Sequence, residues 1–369
     1  MGPNPNLQQL HDAGVSIWLD TLSRRLLQSG EFAGLIRDSS VTGATSNPTI
    51  FAKAIEGSNL YDEQLRGLVS RGQRDTEELF FSIALEDVGN AAELPGSEYD
   101  RTAGTDGFIS FECTPDLADE TDATIVQAIE LWQRLDRRNV MIKVPGTEAG
   151  LPAIEELTRR GVNVNITLLF SIERYEQVID AYLRGLRARS RASEPLDSIT
   201  SVASFFLSRI DTKVDAQLPA DSALRGTVAL ASARVAYQRY LAKFAGPEWD
   251  ALERAGAKRQ RPLWASTGTK DPRYSDVLYV SELIGPDVVN TMPEQTLHAF
   301  ADHGTVARTL DADPAQAEQT LADAAAAGIE LSAITGELER EGVQSFCDSY
   351  HRLLDCIESK IESVVGVGG

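Results

Sequence analysis

The stretch VMIKVPGTEAGLPAIEELTRRGVNVNITLLF, Val140–Phe170, carries one complete repeat of the fold. An apolar β-branched run, Val140–Val144, passes through the short segment Gly146–Gly150 into a helical pattern and then into a second β-branched run, Val162–Thr167. Strand, helix and strand in succession form the unit from which parallel sheets are built. Gly146–Gly150 lacks the Gly-Lys-Ser/Thr ending that contacts nucleotide, so it reads as a tight turn between strand and helix.

The same alternation extends in both directions. Strands are expected at Val15–Asp20, Val41–Ser46, Gly107–Glu112, Val140–Val144, Val162–Thr167, Ile199–Ser204, Pro262–Thr267 and Asp287–Thr291. Between them, segments such as Asp122–Leu135 and Ser171–Leu186 repeat apolar residues every three or four positions, as amphipathic helices do. Eight such strands with helical crossovers predict an α/β fold, an eight-stranded parallel β/α (TIM) barrel, whose usual size is about 250 residues. An open doubly wound sheet is the alternative. The surplus in a chain of 369 residues falls in two places. One is Val88–Asp106, rich in Gly, Pro and charge, read as a loop inserted before the third strand. The other begins near Val306 and reads as added helices. With no interdomain linker in sight, the expectation is a single domain, a barrel core over about residues 15–305 with a C-terminal helical extension over about 306–369.

Composition narrows the function. Residues are 42% hydrophobic and 24% charged, enough apolar material for a large core. The 55 acidic against 35 basic residues give a formal charge of −20, which repels nucleic acid and anionic membranes. The basic run Arg184–Arg191 ends a helical pattern and reads as a solvated face. Three cysteines make no disulfide framework, and the four histidines show no metal-ligand spacing, so no metal is expected. The first residues lack the basic and apolar segments of a signal peptide, and no apolar run approaches the roughly 20 residues of a membrane span. The expected location is cytoplasmic, and the expected assembly a monomer or homodimer.

A β/α barrel keeps its chemistry at the C-terminal ends of its strands. Those ends offer Asp20, Thr45 with Asn47, Glu112, Lys143, Asn165 with Thr167, Ser204 with Arg209, Ser266 with Lys270, and Asn290. Lys143 interrupts an apolar run. Desolvation there favours the neutral amine, which can attack a carbonyl carbon; an ion pair inside the barrel is the other reading. Asp20 and Glu112 end strands in apolar settings, where each either caps a helix or moves protons in lysine imine chemistry. Asn165 and Thr167, two apart on one strand, share a face. Arg209, Lys270 and Ser266 offer cations and a donor suited to phosphate, and surface salt bridges are the other use for the two cations.

The segments IWLD, GATSNPTIF, FISFE, MIKVPGTEAG, GVNVNITLLFS, SVASFFLSRID and ASTGTKDP, in this order, resemble the transaldolase family, from about Val15 to Phe300. The resemblance implies a cofactor-free enzyme that transfers a three-carbon dihydroxyacetone unit from sedoheptulose 7-phosphate to glyceraldehyde 3-phosphate, giving erythrose 4-phosphate and fructose 6-phosphate. It further implies Lys143 as the Schiff-base residue, Asp20 as general acid/base, and Glu112 with Thr167 as holders of a relay water. By the same resemblance Thr45, Asn47, Asn165, Ser204 and Phe206 line the three-carbon unit, while Arg209, Ser266 and Lys270 hold phosphate. The sequence departs from the family pattern at Gly43, where members commonly carry Asp, and at Lys270, near a position where many have arginine. A fructose-6-phosphate aldolase shares the lysine and the fold, and a noncatalytic sugar-phosphate-binding barrel is the alternative outside enzymes.

Overall fold

Eight parallel strands close into a barrel in chain order: β1 (Val15–Leu19), β2 (Val41–Thr45), β3 (Ile109–Glu112), β4 (Val140–Pro145), β5 (Val164–Leu169), β6 (Ser201–Phe206), β7 (Arg261–Ala265) and β8 (Val288–Met292), with β8 pairing back onto β1. The computed structural model describes residues 2–366. Every strand residue is buried, because one face packs inside the barrel and the other lies under the surrounding helices. All eight strands stand where the sequence pattern puts them, with ends shifted by one or two residues. β5 starts late because Asn163 spends its side chain on the backbone of Arg138, Val140 and Thr200, joining three segments just ahead of the ladder.

The segment Val88–Asp106 differs from its reading as a loop. A helix over Thr76–Glu93 runs through its first part and a short one over Gly96–Arg101 follows. Val88, Ala91 and Ala92 continue the buried stripe of Leu79, Ile83 and Ala84, so packing carries the helix on until Pro95-Gly96 breaks it. The basic run lies on the helix Ile172–Arg191, where Arg184 pairs with Glu155 and Arg187 with Glu248 at the surface.

Beyond the barrel, Asp313 caps a helix over Pro314–Ala326, and a second helix, Leu331–Gly366, is 36 residues long. At about 1.5 Å per residue it is long enough to cross the whole barrel, and its partners show that it does. Glu337 and Glu341 meet Lys213 after β6, Glu339 meets Arg174 after β5, and Ser349 meets Thr49 after β2. Tyr350 bonds Glu77, and His351 bonds Asp116 after β3. The helix therefore lies over the C-terminal mouth, and its Phe346, Tyr350, Leu353 and Ile357 join the main core. Among the described residues no helix is long and apolar enough to cross a membrane.

Inside the barrel Trp18 donates its indole N–H to Asp106 at 2.8 Å. Gly43 makes this possible: a Cβ there would stand 2.5 Å from the Phe108 carbonyl oxygen and 2.8 Å from the Trp18 ring nitrogen. Gly43→Ala is expected to lose about 1–3 kcal/mol by overpacking. Gly34→Ala, where the added carbon meets nothing closer than an arginine tip at 3.8 Å, should instead gain up to about 1 kcal/mol. Urea unfolding of both variants checks this, and an unchanged midpoint for Gly43→Ala would contradict the packing described.

Candidate active site

The ladder between β3 and β4 sets Glu112 beside Lys143, and the ladder between β4 and β5 sets Lys143 beside Asn165. Three polar side chains are thereby fixed side by side in the wall of an apolar barrel. The Lys143 amine donates to the Ser46 carbonyl oxygen at 2.9 Å and to Glu112 Oε2 at 3.3 Å, and both side chains are almost wholly removed from solvent. The ion pair that was an alternative use for Lys143 is thus present, and the amine also borders a cavity of about 380 Å³ at the barrel mouth.

Asp20 lines the same cavity from the end of β1. It accepts the Thr45 hydroxyl at 2.9 Å, and Thr45 also meets the Thr291 hydroxyl at 2.8 Å. Burial pushes the Asp20 carboxyl above its ordinary pKa, against the opposing pull of Lys143, the Thr45 hydroxyl, Lys270 and Arg209. Glu112 is raised in the same way by burial; Lys143 opposes the shift and the negative charge of Asp20 adds to it.

Asn47 caps the helix Pro48–Glu56 by accepting the Ile50 N–H at 3.0 Å, which leaves its amide NH₂ as the group able to donate into the cavity. Asn165 does not line the cavity. It stands behind it, donating to Ser110 and accepting the Ser204 hydroxyl at 2.7 Å, so it fixes the orientation of Ser204, which does border the cavity. Glu112 likewise stands behind Lys143. Thr167 points inward, and its buried hydroxyl has no hydrogen-bond partner among the described residues.

On the opposite side Phe206 ends β6, and Arg209 follows in the first turn of the helix Ser208–Asp215 with its guanidinium 5.6 Å from the Phe206 ring centroid. Ser266 and Lys270 approach from the segment after β7. Neither Arg209 nor Lys270 forms an ion pair among the described residues, so the surface salt bridges open to them in the sequence do not form. Partial burial lowers the pKa of Arg209, with Glu341 and Asp20 opposing.

Two of the non-glycine residues with left-handed backbone lie beside the mouth. Leu168, where the β5–β6 register shifts, and Ser266, just after β7, adopt left-handed φ values of 60° and 55°. Each such residue costs roughly 1–3 kcal/mol unless its surroundings hold it. At Ser266 the hold includes a hydroxyl contact of 2.8 Å with Ser208.

The strand ends were read one residue off at β8. Asn290 faces outward and donates to the Tyr279 carbonyl, whereas Thr291 points inward to Thr45. Lys53, Ser345 and Phe346 also line the cavity and were not anticipated. Lys53 sits on the helix after β2; Ser345 and Phe346 come from the crossing helix, where the spacing of Phe346 with Tyr350, Leu353 and Ile357 reads as one more apolar stripe. His11, Glu98 and Asp106 come within 4.8 Å of one another around the N-terminal ends of the strands. Arg101 already engages Glu98, and Trp18 already engages Asp106.

Comparison with known proteins finds relatives along nearly the whole chain. The family model described as Transaldolase/Fructose-6-phosphate aldolase matches residues 17–357. A protein named Transaldolase from Mycolicibacterium smegmatis is 47% identical, with 98% of this chain and 99% of the relative covered. One of the same name from Frankia alni is 48% identical over 97% of this chain and 98% of its own. A third, from Saccharopolyspora erythraea, is 47% identical over 98% and 99%. Barrel, buried lysine, flanking carboxylates and near full-length similarity converge on one conclusion: the chain belongs to the transaldolase/fructose-6-phosphate aldolase family.

Proposed function

We propose that the cavity carries out the transaldolase reaction through an imine on Lys143, moving a dihydroxyacetone unit from sedoheptulose 7-phosphate to glyceraldehyde 3-phosphate. The observation that carries this reading is a buried amine hydrogen-bonded to Glu112 in a cavity that also holds Asp20, Arg209 and Lys270. Glu112 takes the ammonium proton, and the free amine attacks C2 of the ketose phosphate. The carbinolamine loses water, with protons passed through a water between Glu112 and the unpartnered Thr167 hydroxyl.

Asp20 then accepts the proton of the C4 hydroxyl as the C3–C4 bond breaks. The electron pair moves into the iminium, the aldose phosphate leaves, and an enamine stays on Lys143. The incoming aldehyde is attacked by that enamine carbon, Asp20 returns its proton to the new alkoxide, and hydrolysis frees the product ketose. Thr45, Asn47 and Ser204, the last held by Asn165, meet the hydroxyls of the three-carbon unit, and Phe206 forms a wall. Arg209, with Ser266 and Lys270, holds the phosphate shared by donor and acceptor.

With fructose 6-phosphate and erythrose 4-phosphate supplied together, sedoheptulose 7-phosphate should form, and Lys143→Ala should lower kcat by at least about a thousandfold. Turnover that survives this change would sink the mechanism. Release of free dihydroxyacetone without acceptor, at the rate of transfer, would favour the aldolase reading.

Arg209→Ala is expected to raise KM for fructose 6-phosphate roughly ten- to a hundredfold, the loss of one charge-assisted hydrogen bond. Turnover of unphosphorylated fructose should be unaffected. Equal losses with both sugars would remove Arg209 from the phosphate site.

The raised Asp20 pKa has a consequence for stability. A carboxyl that keeps its proton to higher pH in the folded chain than in the unfolded one makes folding less favourable as pH climbs from about 4, the unfolded value, through the raised folded value. Asp20→Asn removes that titration while keeping an acceptor for Thr45. The inactive variant should therefore gain stability relative to wild type as pH rises through this window, with the larger advantage at about pH 8 than at about pH 4. Denaturation midpoints at both pH values check it; a constant difference would mean that Asp20 is not held above its ordinary pKa.

A further inference from the structure

The crossing helix brings an aromatic ring to the reactive amine. Phe346 is buried and its ring centroid lies 5.9 Å from Lys143 Nζ. It belongs to an apolar stripe with Tyr350, Leu353 and Ile357, all buried in the core that the crossing helix shares with the barrel, yet Phe346 also lines the cavity. Its position is fixed from both sides. One turn earlier, Gly342 packs so closely on the strained Leu168 that a Cβ there would lie 3.0 Å from that side chain. One turn later, Tyr350 bonds Glu77 at 2.8 Å beside the Thr49–Ser349 contact.

We propose that Phe346 is a specificity-determining residue that decides the fate of the enamine. This rests on the imine reading of Lys143 given above. Two reactions compete for the enamine carbon. In transfer it bonds to the aldehyde carbon of the acceptor. In release its double-bond pair takes a proton from water, the nitrogen lone pair re-forms the iminium, and the hydroxide left behind adds to C2. Lys143 then departs as the amine, leaving free dihydroxyacetone. Water taken up in this hydrolysis equals water lost when the imine formed, so release amounts to cleavage of fructose 6-phosphate into dihydroxyacetone and glyceraldehyde 3-phosphate. Hydrolysis of the imine is common to both routes and uses the relay water between Glu112 and Thr167. The Phe346 ring beside Lys143 instead shields the enamine from bulk water, which slows protonation of its carbon, the step that only release requires. Its π face also attracts the cationic iminium.

The test compares the full-length wild type with Phe346→Ala and Phe346→Leu. Free dihydroxyacetone and sedoheptulose 7-phosphate are both measured from fructose 6-phosphate with saturating erythrose 4-phosphate. The ratio of release to transfer should rise about tenfold or more in Phe346→Ala and by a smaller factor in Phe346→Leu, which keeps apolar cover but loses the ring. If Phe346→Ala does not fold, Phe346→Leu decides by the same ratio. Transfer and release falling together at an unchanged ratio would reduce Phe346 to core packing and overturn the inference. A wild type that releases dihydroxyacetone as fast as it transfers would overturn it too, while leaving the chemistry of Lys143 standing. A wild type that makes neither product would instead remove the reading of the site on which the inference rests.

Discussion

A lysine amine taken out of water must find compensation, and the site is arranged around that requirement. Lys143 has it from Glu112 at 3.3 Å and from the Ser46 carbonyl at 2.9 Å. A buried pair of this kind is weak evidence for stability, since the desolvation of both charges can exceed their attraction. It makes sense as chemistry. The carboxylate that neutralises the lysine is also the group that can take its proton. The β3–β4 register that pairs Glu112 with Lys143 fixes the distance, and closure of the barrel brings Asp20 from β1 to the same cavity. One backbone constraint therefore sets both the electrostatics and the reach of the Lys143 amine.

The charge distribution runs against the composition. A chain with a formal charge of −20 repels phosphorylated sugars on average, yet its mouth presents Arg209, Lys270 and Lys53 around a cavity. Apart from Asp20 the charged groups lining this cavity are cationic, and clustered positive charge concentrates field where the ligand enters, so the local sign matters more than the total. The two cations proposed to hold phosphate are unequal. Arg209 is partly desolvated and stacked near Phe206, and its planar fork suits phosphate, whereas Lys270 is exposed and acts as a mobile point charge.

Much of this was legible in the sequence. The eight strands announced themselves because β-branched runs recur between helical patterns, and Lys143, Asp20 and Glu112 because a charged residue ending an apolar run needs a reason. The reading failed where one residue decides which face a side chain takes. Asn290 and Thr291 are adjacent, and parity alone sends one outward and the other to Thr45. It failed also for Phe346. An amphipathic stripe states that a face is covered, not what covers it, and this one crosses from ordinary core to the Lys143 amine. The long helix Thr76–Glu93 was missed in part because Gly, Pro and charge outweighed the sparse apolar stripe of small alanines.

The central claim is that carbon binds covalently to Lys143. Incubating the protein with fructose 6-phosphate, reducing with borohydride and mapping peptides by mass tests it most directly. The account predicts a reduced dihydroxyacetone unit on Lys143; an active enzyme with no adduct, or with the adduct on another lysine, would contradict it.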